Sequence, residues 1–282
     1  MRTITDIREM QSIALQLKRE GKTIGFVPTM GYLHEGHLSL LSSARKENDV
    51  TIVSIFVNPL QFGPKEDLAA YPRDFERDSS LAENEGNDYI FFPSSEEMYP
   101  VIPSVMAKVQ DRTDVLCGKS RPGHFDGVAT VLIKLFNIVQ PDKVYFGMKD
   151  AQQVAVVDGL VRDLNIPVEI VPVQTVREED GLAKSSRNVY LLPAERDQAS
   201  ALHQSLKMAE SAIAEGELDP RRILASMREF IEKNTSGELD YIEILSYPDL
   251  RQLSRLEGKI IIAMAVKFSK ARLIDNAIIS VK

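Results

Sequence analysis

The chain has 282 residues, of which 44% are hydrophobic and 27% are charged, and its formal net charge is −7. This composition, without an apolar run of about twenty residues, a secretory leader or a basic stripe, predicts a cytoplasmic protein with no membrane and no nucleic-acid partner. Its length suits one large or two modest domains, of which we predict two, and a lone cysteine, Cys117, excludes an internal disulfide.

Short runs rich in β-branched residues alternate with helical segments up to about residue 175. They predict strands at residues 23–27, 50–57, 88–92, 143–146 and 167–171. Each run is apolar almost throughout, as in parallel strands covered on both faces. A helix over residues 125–139 carries one apolar stripe that faces the core. The pattern predicts an α/β fold with a doubly wound parallel sheet.

A different texture follows residue 187. Residues 193–215 and 220–233 are predicted to be helices, and residues 239–245, 260–268 and 272–279 are predicted to be strands. Three residues separate the last two strands, which favours an antiparallel hairpin. We therefore predict a smaller α+β domain over residues 176–282, after a first domain over residues 1–175.

Residues 28–37, PTMGYLHEGH, follow the first predicted strand and lead into a helix. His34 and His37 lie three residues apart with Gly36 between them, so both imidazoles can face a ligand that approaches the backbone closely. The positive end of the helix dipole makes this turn suited to an anion, and it favours nucleotide chemistry. Two alternatives are a capping role for the histidines and a zinc site, although the spacing lacks the four-residue separation of zinc protease helices.

Polar residues also follow two other predicted strands. Asn58 and Gln61 come after the second, and Lys149 and Gln153 come after the fourth. Ligands of open parallel sheets bind at these carboxyl ends. The two glutamine amides could hold a small hydroxy acid, and Lys149 could reach phosphates. The alternatives are turn formation, an exposed loop and a solvated lysine.

Residues 181–188, GLAKSSRN, bring two cations and two serine hydroxyls to the boundary between the predicted domains. The segment suits a phosphate clamp, and its alternative is a polar connector. Beside the paired histidines, it favours adenylyl transfer.

These motifs, together with RPGHF at residues 121–125, resemble the pantoate–β-alanine ligase family (the pantothenate synthetases) over essentially the whole chain. The resemblance implies a Rossmann-like domain of the nucleotidylyltransferase superfamily that binds ATP and pantoate. It also implies that the smaller carboxy-terminal domain acts as a lid and that the protein is a homodimer.

The resemblance also implies residue roles. The resemblance implies that His37 is catalytic. The positions and chemistry of His34 and Lys149 in these motifs predict a catalytic role for them as well. Gln61 and Gln153 are implied to bind substrate. Lys184 stands where many relatives have methionine or leucine. ATP is implied at Met30, Gly31, Tyr32, Leu33, His34, Glu35, Gly36, His37, Gly147, Met148, Lys149, Asp150, Val176, Lys184, Ser185, Ser186 and Arg187.

The implied reaction has two halves. The carboxylate of (R)-pantoate attacks the α-phosphorus of Mg²⁺-ATP, which gives pantoyl adenylate and pyrophosphate, and β-alanine then displaces AMP to form pantothenate. The sequence identifies neither the Mg²⁺ ligands nor the base that deprotonates the amine. Two rival hypotheses are an adenylyltransferase that acts on a phosphorylated substrate and a nucleotide-binding module without turnover.

Overall fold

A computed structural model describes residues 1–63, 68–69 and 71–281 of the chain. The β-strands are β1 (Arg2–Ile4), β2 (Ile24–Thr29), β3 (Val50–Ile55), β4 (Tyr89–Phe91), β5 (Lys143–Gly147), β6 (Glu169–Val173), β7 (Glu238–Ser246), β8 (Gly258–Lys267) and β9 (Arg272–Val281). The α-helices are α1 (Ile7–Arg19), α2 (Glu35–Glu47), α3 (Phe75–Asn84), α4 (Ser95–Met98), α5 (Leu116–Ser120), α6 (His124–Val139), α7 (Ala151–Asp163), α8 (Pro193–Ala199), α9 (Ala201–Ala214) and α10 (Pro220–Asn234).

The described chain divides into two compact units. The first unit comprises Met1–Asp111, Arg121–Met148 and Val156–Gln174. The second unit comprises Arg112–Ser120, Lys149–Ala155 and Thr175–Lys282, so two short segments from before residue 175 belong to it.

The first unit contains one parallel sheet with the strand order β1-β4-β3-β2-β5-β6. The order reverses between β2 and β5, which pair through Gly25 with Lys143 and Phe26 with Val144. In an open α/β sheet such a switch point leaves a crevice beyond the carboxyl ends of the two strands. The turn at residues 30–34 follows β2, and Met148 follows β5. The segment with the paired histidines and the segment with Lys149 therefore both start at this crevice.

Apolar patterning explains how the first unit packs. Every residue of β3 is buried, as expected for a central parallel strand with both faces covered. The predicted stripe of α6 is confirmed, because Val128, Leu132, Leu135 and Val139 are all buried. The predicted α/β class and doubly wound parallel sheet are confirmed.

The second unit contains the antiparallel sheet β7-β8-β9, and the predicted hairpin of its last two strands is confirmed. Apolar residues of α9, α10 and β8 form its core, with Leu206, Met227 and Ile262 among the most deeply buried. The smaller α+β part of the prediction is therefore confirmed.

Several strand ends differ by about two residues from the sequence-based expectation, as β6 does from the strand expected at residues 167–171, and two differences concern whole elements. Strand β1 was missed, because a run of three residues carries almost no periodicity. The single helix expected over residues 193–215 is wrong, because α8 ends at Ala199 and α9 begins at Ala201. The Ser200 hydroxyl bonds the Asp197 carbonyl at 3.4 Å, a side-chain bond that competes with the helical ladder.

No helix among the described residues combines the length and the apolar character that crossing a bilayer requires.

Candidate active site

A buried carboxylate holds the turn that follows β2. Gly31 and Tyr32 have left-handed backbone conformations, with φ of 85° and 52°. The main-chain N–H groups of Tyr32 and Leu33 donate to the two oxygens of Asp78, each at 2.7 Å. A Cβ atom at Gly31 would lie 2.9 Å from Ile55 and 3.0 Å from Asp78. Glycine is therefore needed at position 31 for its left-handed backbone and for these close contacts.

Burial makes the charged form of the Asp78 carboxylate unfavourable. Its side chain is 1% exposed, and burial raises the pKa of its carboxyl, while the bonds from Leu33 and Tyr32 and the nearby Arg77 guanidinium oppose that rise. Arg77 also donates to the Leu33 carbonyl at 2.8 Å and lies over the Tyr32 ring. Helix α3 thus supplies the groups that keep the turn in place. Asp78 carries no recognisable signal in the sequence, because its partners lie about 45 positions earlier in the chain.

Replacing Asp78 with asparagine should destabilise this turn. An amide has one acceptor oxygen, so one of the two buried N–H groups would face an NH₂ group and lose its bond. We expect the free energy of unfolding in urea to fall by about 1–3 kcal/mol. Asp74→Asn is the matched control, because Asp74 caps α3 by accepting from Arg77 N–H and asparagine caps equally well. Equal stability of the two variants would contradict this role of Asp78.

The two imidazoles close the amino terminus of α2. His34 is the N-cap residue, and its Nδ1 accepts from the Gly36 N–H at 3.1 Å. His37 Nδ1 accepts from the His34 N–H at 3.3 Å, so the two rings form a reciprocal capping box. The ring centroids are 4.1 Å apart. The capping alternative is therefore correct as a description of Nδ1 in both rings.

Capping also determines what each ring presents at its other nitrogen. A neutral imidazole whose Nδ1 accepts a hydrogen bond carries its proton on Nε2. His34 and His37 are thus both set as Nε2–H donors at a helix amino terminus. A Cβ atom at position 36 would lie 2.8 Å from the His34 ring, so Gly36 permits this packing. Two fixed donors beside a positive helix end are suited to anionic oxygens.

Gln61 lies in a network of amides below Met30. Its Oε1 accepts from Asn58 Nδ2 at 3.2 Å, and its Nε2 lies 3.1 Å from the Met30 sulfur. Asn58 also accepts from the Tyr99 hydroxyl at 3.0 Å, and burial raises the pKa of Tyr99 to about 12, which keeps this donor protonated. The turn-forming alternative for Asn58 holds as well, because its side chain accepts from Leu60 N–H. Gln61 is buried, in contrast to the exposed-loop alternative.

Helix α6 holds the main chain of the same turn. His124 Nδ1 lies 2.8 Å from the Gln61 carbonyl, and Asn58 donates to the Gly127 carbonyl at 3.1 Å. A Cβ atom at Gly127 would lie 2.2 Å from the Leu60 carbonyl oxygen, so no other residue permits this contact. Gly127 is not among the predicted site residues, although an isolated glycine inside an apolar helix is a signal of close backbone approach.

The remaining predicted residues before position 175 lie at the end of β5 and directly after it. Gly147 and Met148 belong to the first unit, whereas Lys149, Asp150 and Gln153 belong to the second. A short 3₁₀ turn spans Met148–Asp150, and Lys149 and Gln153 are both half-buried. The Asn276 side chain donates to the Lys149 carbonyl at 2.8 Å.

Residues 176–187 form a small hairpin and a turn in the second unit. The Lys184 N–H donates to the Val176 carbonyl at 2.9 Å, and the main chains of Arg177 and Ala183 pair in an isolated antiparallel β-bridge. The Ser185 hydroxyl oxygen accepts from Arg187 N–H at 3.2 Å and caps the 3₁₀ turn Ser186–Tyr190. The predicted clamp is therefore an ordered turn that follows a hairpin.

The structure thus brings the predicted residues together in two sets. In the first unit, Met30 contacts Gln61, and the turn at residues 30–33 leads directly into the paired histidines. In the second unit, main-chain bonds join Val176 to Lys184, and Asn276 contacts Lys149.

No metal cage is found in the described parts of these units. No group of three His, Cys, Asp or Glu residues there could hold a metal ion. A cavity of about 180 Å³ in the first unit is lined by Met30, Gly31 and Asp78, among others. It is smaller than the roughly 300–1,000 Å³ typical of ligand pockets, and we assign it no ligand.

Comparison with known proteins agrees with this geometry. The family model described as Pantoate-beta-alanine ligase matches residues 2–278. The pantothenate synthetase of Geobacillus kaustophilus is 63% identical over 279 residues, which cover 99% of this chain and 93% of that protein. The pantothenate synthetase of Bacillus thuringiensis is 58% identical over 282 residues and covers 100% of both chains.

Solved structures give the same result. The pantothenate synthetase of Thermus thermophilus is 46% identical, covers 98% of this chain and 99% of its own, and superposes with a TM-score of 0.92. The pantoate-beta-alanine ligase of Francisella tularensis, solved in complex with beta-gamma ATP and beta-alanine, is 34% identical with a TM-score of 0.81, covering 98% of this chain and 97% of that one. The chain therefore belongs to the pantoate–β-alanine ligase family, as its motifs indicate.

Proposed function

We propose that this chain joins (R)-pantoate to β-alanine through a pantoyl adenylate, with ATP as co-substrate. Family membership supports the ligation, and the ATP and β-alanine complex of the Francisella tularensis relative supports both co-substrates. The observation in this chain that carries the proposal is the pair of capped imidazoles at the start of α2. Because each Nδ1 accepts a hydrogen bond, each neutral ring carries its proton on Nε2 as a donor.

In the first step, a pantoate carboxylate oxygen attacks the α-phosphorus of ATP, and the bond to the β-phosphate oxygen breaks, which releases pyrophosphate. A carboxylate is ionised near neutral pH, so this step needs no general base. The protein must instead align the reactants and stabilise the negative charge that develops on the phosphates. His34 and His37 fit that task as N–H donors, and Lys149 fits it as a positive charge.

The glutamine side chains proposed to bind substrate have a different task. Gln61 is held by Asn58, Met30 and the contacts of α6, so its orientation is defined before a ligand arrives. A preset amide can bind the hydroxyl and carboxylate groups of pantoate without adding charge. We assign Gln61 and, from the resemblance, Gln153 to this role.

In the second step, the neutral amine of β-alanine attacks the carbonyl carbon of the mixed anhydride, and AMP leaves with the bridging oxygen. The amine loses a proton as the amide forms. The mixed anhydride is already activated, so no covalent enzyme intermediate is required, and Cys117 has no role in the step.

Mg²⁺ enters this proposal bound to the nucleotide. Protein sites for Mg²⁺-nucleotides usually supply few ligands, since phosphates and water complete the octahedron. The ion would neutralise charge on the triphosphate, in addition to the charge met by the residues above.

Product analysis tests the proposal against its rivals. With ATP, Mg²⁺, pantoate and β-alanine, we expect AMP, pyrophosphate and an amide in equal amounts. An adenylyltransferase of the rival class would instead retain AMP in its product, and a binding module would bind ATP in calorimetry without releasing pyrophosphate. Release of ADP and phosphate would contradict an adenylate.

The homodimer, the lid role of residues 176–282 and the cytoplasmic location stay predictions. One feature supports the dimer, since Val101, Ile102 and Val105 are 74%, 92% and 83% exposed. Contiguous exposed apolar side chains mark interaction sites, and we assign this segment to a second copy of the chain. Equilibrium sedimentation should give twice the chain mass of 31.6 kDa, and a monomer would contradict the assignment.

A further inference from the structure

Two consecutive residues of β9, Asp275 and Asn276, bind two different segments of the second unit. Asn276 Nδ2 donates to the Lys149 carbonyl at 2.8 Å. The Asp275 carboxylate accepts from both terminal nitrogens of Arg177, at 2.7 and 2.9 Å. Because successive side chains of a strand leave on opposite sides, one dipeptide can hold two separate elements.

The Asp275 contact anchors the hairpin that precedes residues 185–187. Asp275 is 3% exposed, and its Oδ1 also accepts from the Asn276 N–H at 2.8 Å. The Arg177 side chain donates a further hydrogen bond to the Gly181 carbonyl at 3.0 Å. The Arg177 main chain pairs with Ala183 in an antiparallel β-bridge. A buried bidentate pair of this kind fixes both distance and orientation. The hairpin is therefore attached to β9 at its base.

The Asn276 contact works together with a second amide. Gln152 is buried, and its Nε2 donates to the carbonyls of Arg112 and Val115, each at 2.8 Å. The backbone around Lys149 is thus held by β9 and, three residues later, by the segment Arg112–Ser120. These bonds explain why Lys149–Ala155 belongs to the second unit.

We propose that Asp275 and Asn276 are positioning residues for adenylate formation, with β9 holding Lys149 and residues 185–187 in one frame. This inference rests on the proposed function. A lysine ammonium sits on a flexible four-carbon stem, so the location of its backbone sets where the charge can act. A displacement of about 1 Å at a reacting group can cost about a hundredfold in rate. Asn276 acts through Lys149, and Asp275 acts through Arg177.

A double-mutant cycle tests this role. In single-turnover pyrophosphate release, Asn276→Ala should lower the rate about tenfold, with the KM for ATP changing less than about threefold. In a Lys149→Ala background the same change should alter the rate less than about twofold, because the group it positions is gone. Asp275→Asn should show the same loss of effect in an Arg187→Ala background. Ser280→Ala, an exposed position on the same strand, is the matched control and should leave the rate unchanged.

The outcomes separate this inference from the function on which it rests. Equal fold-losses with and without Lys149 would show a general structural effect and overturn the positioning role, as would an unchanged rate in Asn276→Ala. Thermal unfolding checks each variant, and Asn276→Asp, which keeps the shape but lacks the donor, replaces any alanine variant that fails to fold. Failure of the unmodified protein to release pyrophosphate would instead contradict the proposed function.

Discussion

Replacing His37 with asparagine is expected to lower the rate of pyrophosphate release by about two to three orders of magnitude while leaving the helix cap intact. The asparagine Oδ1 occupies nearly the position of imidazole Nδ1, so it can still accept from the His34 N–H. It has no counterpart to the Nε2–H donor. The substitution therefore separates the capping role from the proposed contact with phosphate.

Three measurements make this result decisive. Rapid-quench assays give the rate of adenylate formation, thermal unfolding reports on the cap, and His37→Gln serves as a comparison because its amide extends toward the Nε2 position. We expect His37→Asn to unfold within a few degrees of the unmodified protein. An unchanged rate in His37→Asn would leave capping as the sole role of His37 and would remove it from the catalytic set.

The second large effect is expected at Lys149. Lys149→Met keeps the length of the side chain and removes its charge, and we expect pyrophosphate release to slow by about two to three orders of magnitude. The physical reason is that a positive charge stabilises the triphosphate more as negative charge accumulates on the leaving pyrophosphate. The effect should fall on the rate constant of the first step more than on the KM for ATP.

Lys143 supplies the matched control for that experiment. It begins β5, whereas Lys149 follows the carboxyl end of this strand, and Lys143 pairs with Glu47 at 2.9 Å. Lys143→Met removes the same charge at a surface position, where ion pairs contribute little to stability. We expect its rate to match the unmodified protein. Similar losses in both variants would indicate a nonspecific effect of net charge and contradict the role of Lys149.

Local patterns were sufficient to predict most of the fold. Buried parallel strands are apolar almost throughout, so the run at β3 was found from its composition alone. The stripe of α6 follows from helical spacing in the same way. Strand β1 has three residues and the break at Ser200 depends on one side-chain bond, so neither carries a periodic signal.

The candidate site could be predicted only in part, because its residues differ in how local their sequence signals are. His34, His37 and Gln61 stand beside a strand end and a glycine, which are visible in the sequence. The residues that orient them are far away along the chain: Asp78 lies 45 positions from Leu33, and Asn276 lies 127 positions from Lys149. Such partners become apparent after folding brings separate segments together.

Transfer of an isotope from substrate to product tests the central claim most directly. With pantoate labelled with ¹⁸O in its carboxylate, and with ATP, Mg²⁺ and β-alanine, attack of that carboxylate on the α-phosphorus places one labelled oxygen in the phosphate of AMP. We predict one ¹⁸O atom per AMP formed, detected by mass spectrometry. Unlabelled AMP, or label in inorganic phosphate together with ADP, would contradict a pantoyl adenylate and with it the proposed role of the paired histidines.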